Sequence, residues 1–281
     1  MADTRVHVVN CKGGAEYTTI TEAVHAAVDG DIIQVKIGQY DEVAVLEKSV
    51  HIEAEPGTEP GDVIISGGLV ATAGGSVRNV SIQQMVDIRA GTVRLENCVV
   101  SMGVDGVRVC TGAQPVIKKC KISGAQSGGD GIYFQEGAKG TVEQCEITGN
   151  RVNGIHVNGA EVTLLGNKIS GSPFGIYFRK GASGTVEGNT IEKVTSFGIY
   201  VLSEADPAVT KNTIMDCDVH CVMVSGGGKG KYTDNTVHGS VRILKGCSPT
   251  FGVNAINGRF DNENAVGLTP GLGSALAVAA K

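Results

Sequence analysis

The chain has no tryptophan, only 6 phenylalanines and 6 tyrosines in 281 residues, and little leucine beside its valine, isoleucine and alanine. A helical protein of this length would lean on Leu, Ala, Glu and Lys, so the composition argues against an all-α architecture. No apolar run approaches the ~18 residues that mark a spanning helix, and no membrane partner is expected. Nor is there a run of Lys and Arg, and the net charge is −5. Phosphate-backbone binding needs clustered cations, so nucleic acid is not an expected partner either. The first ten residues lack a charged stretch followed by an apolar one, so no secretory signal is expected. Without one, the 8 cysteines read as reduced thiols, several packed as small apolar residues, in a cytoplasmic protein. What abounds is glycine, with 41 residues among many β-branched ones. That mixture predicts many short strands joined by tight turns.

Self-similarity organises the chain. Gly106, Gly131, Gly154, Gly175 and Gly198 lie 25, 23, 21 and 23 residues apart, and Cys221 follows after another 23. A second landmark runs Asn97, Cys120, Cys145, Asn167, Asn189, Asn212 and Asn235. A third runs Ile117, Val142, Leu164, Val186, Val209 and Tyr232. A unit of about 23 residues is too short for a propeller blade and leaves no room for a helix of ten or more. It fits a coil of short strands stacked on the next coil at strand spacing. The prediction is an all-β, right-handed parallel β-helix in one domain over residues 1–281. Its parts would be a cap at about 10–30, regular coils at about 31–245, and an irregular C-terminal coil or cap at 246–281.

Period-2 alternation assigns the faces. In Gly-Ile-x-Val the Ile and Val point inward, giving ladders such as Ile132/Phe134, Ile155/Val157 and Ile176/Phe178, with a second ladder of Ile122, Ile147, Ile169, Ile191, Ile214 and Val237. The glycines are expected to supply positive φ and close packing. The Asn/Cys landmark is expected to be structural, with Asn tolerating a left-handed turn and bonding its equivalent one coil away. At the N-terminus, Thr19-Ile-Thr-Glu22 reads as a capping box opening a helix at about 20–28, with Ile20, Ala23, Val24 and Ala27 as its apolar stripe. Gly38-Gln-Tyr40 reads as a turn. An open solenoid end exposes apolar rungs and unpaired strand edges, and this helix would cover them.

The stretch GGAEYTTITEAVHAAVDGDIIQVKIGQYDE, followed by LEKSVHIEAE, resembles the opening of pectin-methylesterase and pectate-lyase-like β-helices. The later units resemble the pectin-lyase-like repeats of carbohydrate-binding and sugar-hydrolase type, as in the β-helix domain of an F-box protein family. The resemblance covers roughly residues 10–245 and implies the fold. The esterase signatures Gln-Asp-Thr and Asp-Phe-Ile-Phe-Gly are missing, so it implies no esterase.

Chemistry has to come from the outward ladders. After each Gly-Ile the outward position reads Arg108, Tyr133, His156, Tyr177, Tyr200, Met223, and two residues on it reads Cys110, Gln135, Asn158, Arg179, Leu202, Ser225. Tyr and Arg are what interaction hot spots select. Arg108, Tyr133, Gln135, His156, Asn158, Tyr177, Arg179 and Tyr200 are therefore the candidate binding residues. The resemblance also makes this face the natural cleft. Just before the glycines, Asp105 and Asp130 hold equivalent positions, followed by Asn153. Stacked carboxylates there would suit a retaining glycosidase pair or a cation site and would raise one carboxyl pKa, with His156 and Arg179 nearby. Asp216-Cys-Asp-Val-His-Cys221 holds several possible ligands but no standard zinc spacing, so no metal is expected. No cofactor is implied. The leading expectation is a non-enzymatic recognition or scaffold module binding a protein or peptide on the Tyr/Arg/His ladder. The alternative is a carbohydrate-active lyase or glycoside hydrolase using Asp105, Asp130, His156 and Arg179, and carbohydrate remains a possible ligand. Short turns throughout would make a flat face rather than a deep cleft.

Overall fold

The computed structural model describes residues 4–101, 103–125 and 129–264. Its strands build three parallel sheets. Sheet A runs from Val6–Val9 to Thr250–Phe251 in twelve strands; sheet B runs from Gly38–Tyr40 to Ala255–Asn257 in eleven; sheet C runs from Ala44–Leu46 to Phe260–Asn262 in eleven. From the second coil on, each coil gives one strand to each sheet, so the chain climbs as a parallel β-solenoid.

The inward ladders lie where the alternation put them. Val107, Ile132, Ile155, Ile176, Ile199 and Val222 pair in register along sheet C. Ile122, Ile147, Ile169, Ile191, Ile214 and Val237 do so along sheet B. All are buried. Each such side chain stabilises the fold by roughly 1.5–3 kcal/mol through apolar burial, so repetition makes one continuous core.

Two turn assignments differ from expectation. The positive-φ position is not the Asn/Cys landmark but the residue before it: Asn97, Lys119, Gln144, Lys211 and Asp234 have φ between 52 and 58°. Asn97 is thus one residue out of the landmark, whose member in that coil is the buried Cys98. The landmark residues point inward instead, and Asn167, Asn189, Asn212, Asn235 and Asn254 each accept from the backbone N–H of the residue one coil below. The second difference concerns Gly106, Gly131, Gly154, Gly175 and Gly198, which do not have positive φ. A Cβ there would come within 2.5–2.7 Å of the next coil's carbonyl and of an isoleucine methyl, so space alone requires glycine.

At the N-terminus α1 (Ile20–Ala26) takes the place of a sheet C strand in the first coil and buries Ile20, Ala23 and Val24. It ends two residues earlier than expected. Thr19 Oγ1 accepts from Glu22 N at 3.3 Å, but the reciprocal bond from Thr19 N to the Glu22 carboxylate is not made among the described residues, so the capping box is half formed. The Glu42 carboxylate accepts from Ile20 N at 2.7 Å and Thr21 N at 3.0 Å, which satisfies orphan donors of the first turn. Gly38–Tyr40 is a strand and not a turn: it founds sheet B, pairing with Val63–Ile65. Coils also continue past residue 245, with strands at Thr250–Phe251, Ala255–Asn257 and Phe260–Asn262. The expected cap at Val266–Lys281 lies outside the described residues.

Candidate functional site

Sheet C carries the candidate residues on its outer face. Asp87, Arg108, Tyr133, His156, Tyr177, Tyr200, Met223, Arg242 and Asp261 form one file in strict register. Its rings stack along the solenoid axis at centroid distances of 4.8 Å (Tyr133–His156), 5.0 Å (His156–Tyr177) and 5.2 Å (Tyr177–Tyr200). In-register stacking at strand spacing brings each outward ring against the ring of the next coil. A second file lies beside it: Asn153, Phe174, Phe197 and His220 pair in register. Phe174 packs 5.8 Å from Tyr177, and Phe197 packs 5.0 Å from Tyr200. Burial and Arg242 lower the His220 pKa. Phe174, Phe197 and His220 are absent from the candidates above, although they only continue the file of Asp105, Asp130 and Asn153 just before each glycine.

Towards the N-terminal coils the aromatic face gives way to charge. Asp87, which the sequence reading missed, is buried between two guanidiniums, with Arg89 Nε at 2.7 Å and Arg108 Nε at 2.9 Å. Burial opposes its charge, but the two arginines outweigh that and hold its carboxyl below the usual range. Arg108 is therefore committed to Asp87 and is not a free binding group. Cys110 Sγ lies 3.6 Å from the same carboxylate, and burial and that charge push its thiol pKa up.

Asp105 and Asp130 do stack in adjacent coils, where Asp130 N donates to Asp105 Oδ1 at 3.0 Å. Burial raises the Asp105 pKa, and repulsion from Asp130 adds to it against that hydrogen bond. The two carboxylates are not equivalent, however. Asp130 Oδ1 accepts from Asn153 N at 3.2 Å and Asn153 Nδ2 at 2.6 Å, and Oδ2 meets His156 Nδ1 at 2.8 Å. With both oxygens engaged, Asp130 is placed to orient His156 rather than to attack a substrate. The contact assigns the imidazole proton to Nδ1 and leaves the Nε2 lone pair free. Arg179 does not join this group; it pairs in register with Asn158, one coil further on, and lies against the Tyr177 phenol. Asn158 Nδ2 donates to the Tyr133 hydroxyl at 3.1 Å, and the Tyr200 hydroxyl bonds Ser225 Oγ at 3.0 Å. Gln135 and Leu202 lie in the same outward file as Asn158 and Arg179, and both are part-exposed.

One coil stands apart in its polar balance. Asn150 Nδ2, Asn153 Oδ1, His156 Nε2 and Asn158 Oδ1 are buried with no partner among the described residues. Buried polar groups are almost always paired, so a cluster of orphans marks a place where something else completes the bonding. In the same region eight residues of sequence separate Lys121–Ser123 from Ile132–Phe134, against four or fewer between the corresponding strands of every later coil. Elsewhere, Cys217 and Cys221 contact each other, and all 8 cysteines are free thiols. No group of three or more His, Cys, Asp or Glu able to hold a metal occurs among the described residues. No described helix is long and apolar enough to cross a membrane.

Residues 105–264 match the family model described as "Right handed beta helix region". The chain belongs to this family. A comparison with curated proteins finds no match. Among solved structures this right-handed β-helix is similar to the crystal structure of pectate lyase Pel9A, at 11% identity and TM-score 0.63, over 92% of this chain and 79% of that one. It is also similar to the Agl-KA catalytic domain, at 16% identity and TM-score 0.51, over 91% of this chain but only 57% of that one. At such identities the likeness is one of fold: a pectin-lyase-like right-handed parallel β-helix.

Proposed function

We propose that sheet C binds a carbohydrate chain along the solenoid axis, and that the chain is processed at the Asp105–Asp130–His156 group. One observation carries the reading. Carboxylates, a carboxylate-held imidazole and orphaned buried polar atoms converge at a single point of the face, where the aromatic file begins. A site for passive contact has no need of an oriented base, whereas a reaction centre does. The aromatic file supplies apolar ring edges and phenol hydroxyls, suited to the C–H and hydroxyl edges of sugars. The likeness in fold to pectate lyase Pel9A supports the same class of ligand. A protein or peptide partner, favoured by flatness and by Tyr/Arg content, is the second reading. The free thiols support a reducing, cytoplasmic setting.

The test is titration calorimetry with neutral and acidic polysaccharides, using wild type and a Tyr177→Ala/Tyr200→Ala variant. Binding by wild type that weakens at least tenfold in the variant supports a carbohydrate face. Wild type that binds none of the glycans while a peptide library selects the same face would replace it with the peptide reading.

A further inference from the structure

We propose that Cys217 and Cys221 form a peroxide-sensing dithiol, which closes into a disulfide and shifts His220 on the outer face of sheet C. Five successive coils carry glycine at the start of the sheet C strand, because a Cβ there would strike the next coil's carbonyl and an isoleucine methyl. The coil after Gly198 carries Cys221 at that position instead. The next coil is altered to admit it. Val237 stands where each earlier glycine has an isoleucine, and only Gly239 and Ser240 link Thr236–His238 to Val241–Ile243. A Cβ on Gly239 would lie 2.6 Å from Cys221 Sγ, so the sulfur takes the space that a side chain would need.

Cys217 reaches the same place from the other side of the corner. It bridges Val194 of the preceding coil, and its Sγ would lie 3.0 Å from a Cβ on Gly198. The two sulfurs are in hydrogen-bond contact across the intervening turn. Val194 and Gly198 fill the equivalent corner one coil earlier without any sulfur, so packing alone does not call for the pair. Access divides the roles. Cys221 is fully buried, whereas Cys217 is part-exposed and is where an oxidant can arrive. The Cys217 thiol donates to Cys221 and lowers its pKa, which makes the inner sulfur the readier thiolate. The stacked thiols of Cys98, Cys120 and Cys145 are sealed in the core at 1–2% exposure and lack such an entry.

The chemistry balances with hydrogen peroxide as the one co-reactant. Cys217 Sγ attacks a peroxide oxygen: the S–O bond forms, the O–O bond breaks, and the released hydroxide leaves as water with the Cys217 proton. Cys221 Sγ then attacks the sulfenic sulfur of Cys217. The S–S bond forms, the S–O bond breaks, and the second hydroxide leaves as water with the pair's remaining proton. Two thiols are oxidised and one peroxide is reduced to two waters. Closure brings the sulfurs from hydrogen-bond contact to about 2.05 Å. It therefore pulls on His220, the residue joined to Cys221. The His220 ring stacks on Phe197 at 5.8 Å, and its Nδ1 meets Ser240 Oγ at 2.7 Å. Thiol–disulfide exchange with a small dithiol reverses the step.

The test treats the full chain with hydrogen peroxide, blocks the remaining thiols with an alkylating agent and digests with trypsin. Cleavage after Lys211 and Lys229 frees residues 212–229, which hold Cys217 and Cys221 and no other cysteine. The expected result is a peptide lighter by two hydrogens that takes neither label and regains both after dithiothreitol. Cys221→Ser should stop at the sulfenic acid, captured on Cys217 by a 1,3-diketone probe, and Cys217→Ser should leave Cys221 reduced at the same dose. The imidazole proton resonance of His220, assigned with His220→Gln, should shift when wild type is oxidised and stay in place in Cys217→Ser. Melting curves report that each variant is folded, and the wild-type measurement stands without them. Both labels retained in wild type, or an equal loss of label in Cys217→Ser, would overturn the sensor. A disulfide that leaves the His220 resonance unmoved would overturn the switch.

Discussion

The carboxylate of Asp31 accepts from Val28 N and Arg5 N, both at 3.0 Å, and meets His7 Nε2 at 3.0 Å. The two backbone donors, then the histidine, hold its pKa at about 2, below the ordinary 3.8. A carboxyl whose folded pKa is depressed contributes stability that is fully present above its unfolded value and is lost as pH falls towards the folded one. Wild type should therefore lose stability as pH falls from 3.8 to about 2. Asp31→Asn keeps one acceptor but not the charge, so it should start from a lower Tm at neutral pH and decline less steeply through that window. Tm measured against pH for both proteins checks this, and parallel curves would contradict it. The same scale shows where single residues escaped the sequence. Asp87 falls in a coil where Met85-Val-Asp-Ile replaces Gly-Ile-x-Val, so the motif that points to its register partner Arg108 is missing one step earlier. The buried ion pair that commits Arg108 was invisible for that reason. The Asp130–His156 bond was equally hidden, since adjacency of ladders gives proximity but not which atoms pair.

At the scale of the element, the inward asparagine ladder works as a second hydrogen-bond system beside the sheets. Asn189 Oδ1 accepts from Asn167 N at 2.8 Å and Asn167 Nδ2 at 2.9 Å, while its own Nδ2 donates to Leu164 O at 2.9 Å. Truncating it leaves two donors and an acceptor buried and unpaired, so Asn189→Ala should cost roughly 2–4 kcal/mol. Cysteine is the milder replacement, because Cys145 Sγ already accepts from Cys120 N at 3.4 Å in an equivalent position. Urea denaturation should rank wild type above Asn189→Cys above Asn189→Ala. Equal losses for the two variants would mean that volume, not bonding, sets the cost. Periodicity revealed this ladder, but its phase came out one residue early in the Asn97 coil. Asn97 and Cys98 both suit a turn there, and only the φ of 52° at Asn97 separates the outward turn residue from the inward rung. The strand at Gly38–Tyr40 was missed for a related reason: three residues beginning with Gly carry a turn's composition, and only pairing with the next coil makes them a strand.

Across the whole molecule, a solenoid whose strands pair only with those of adjacent coils permits a test that a globular protein would not. Deleting residues 189–211 removes one strand from each sheet: Thr190–Glu192, Phe197–Val201 and Asp206–Thr210. The cut is neutral in register. Gly188, with φ 66°, then precedes Asn212 as Lys211, with φ 54°, does now, so the left-handed turn and the asparagine ladder both close. Ile169 would rest on Ile214 and Ile176 on Val222, aliphatic on aliphatic in both sheets. The shortened chain should fold, with an unchanged β circular-dichroism shape and a modestly lower Tm. It loses Phe197 and Tyr200 from the aromatic face but keeps Asp105, Asp130, Tyr133, His156 and Arg179. If the face binds an extended glycan and reacts at one end of it, the deletion separates the two properties. Affinity for long chains should fall, while turnover of a short oligosaccharide spanning only the Tyr133–Tyr177 coils should persist. A folded deletion variant that binds long chains as tightly as wild type would show that the C-terminal aromatic coils take no part in recognition, and the ligand would then be confined to the coils around His156.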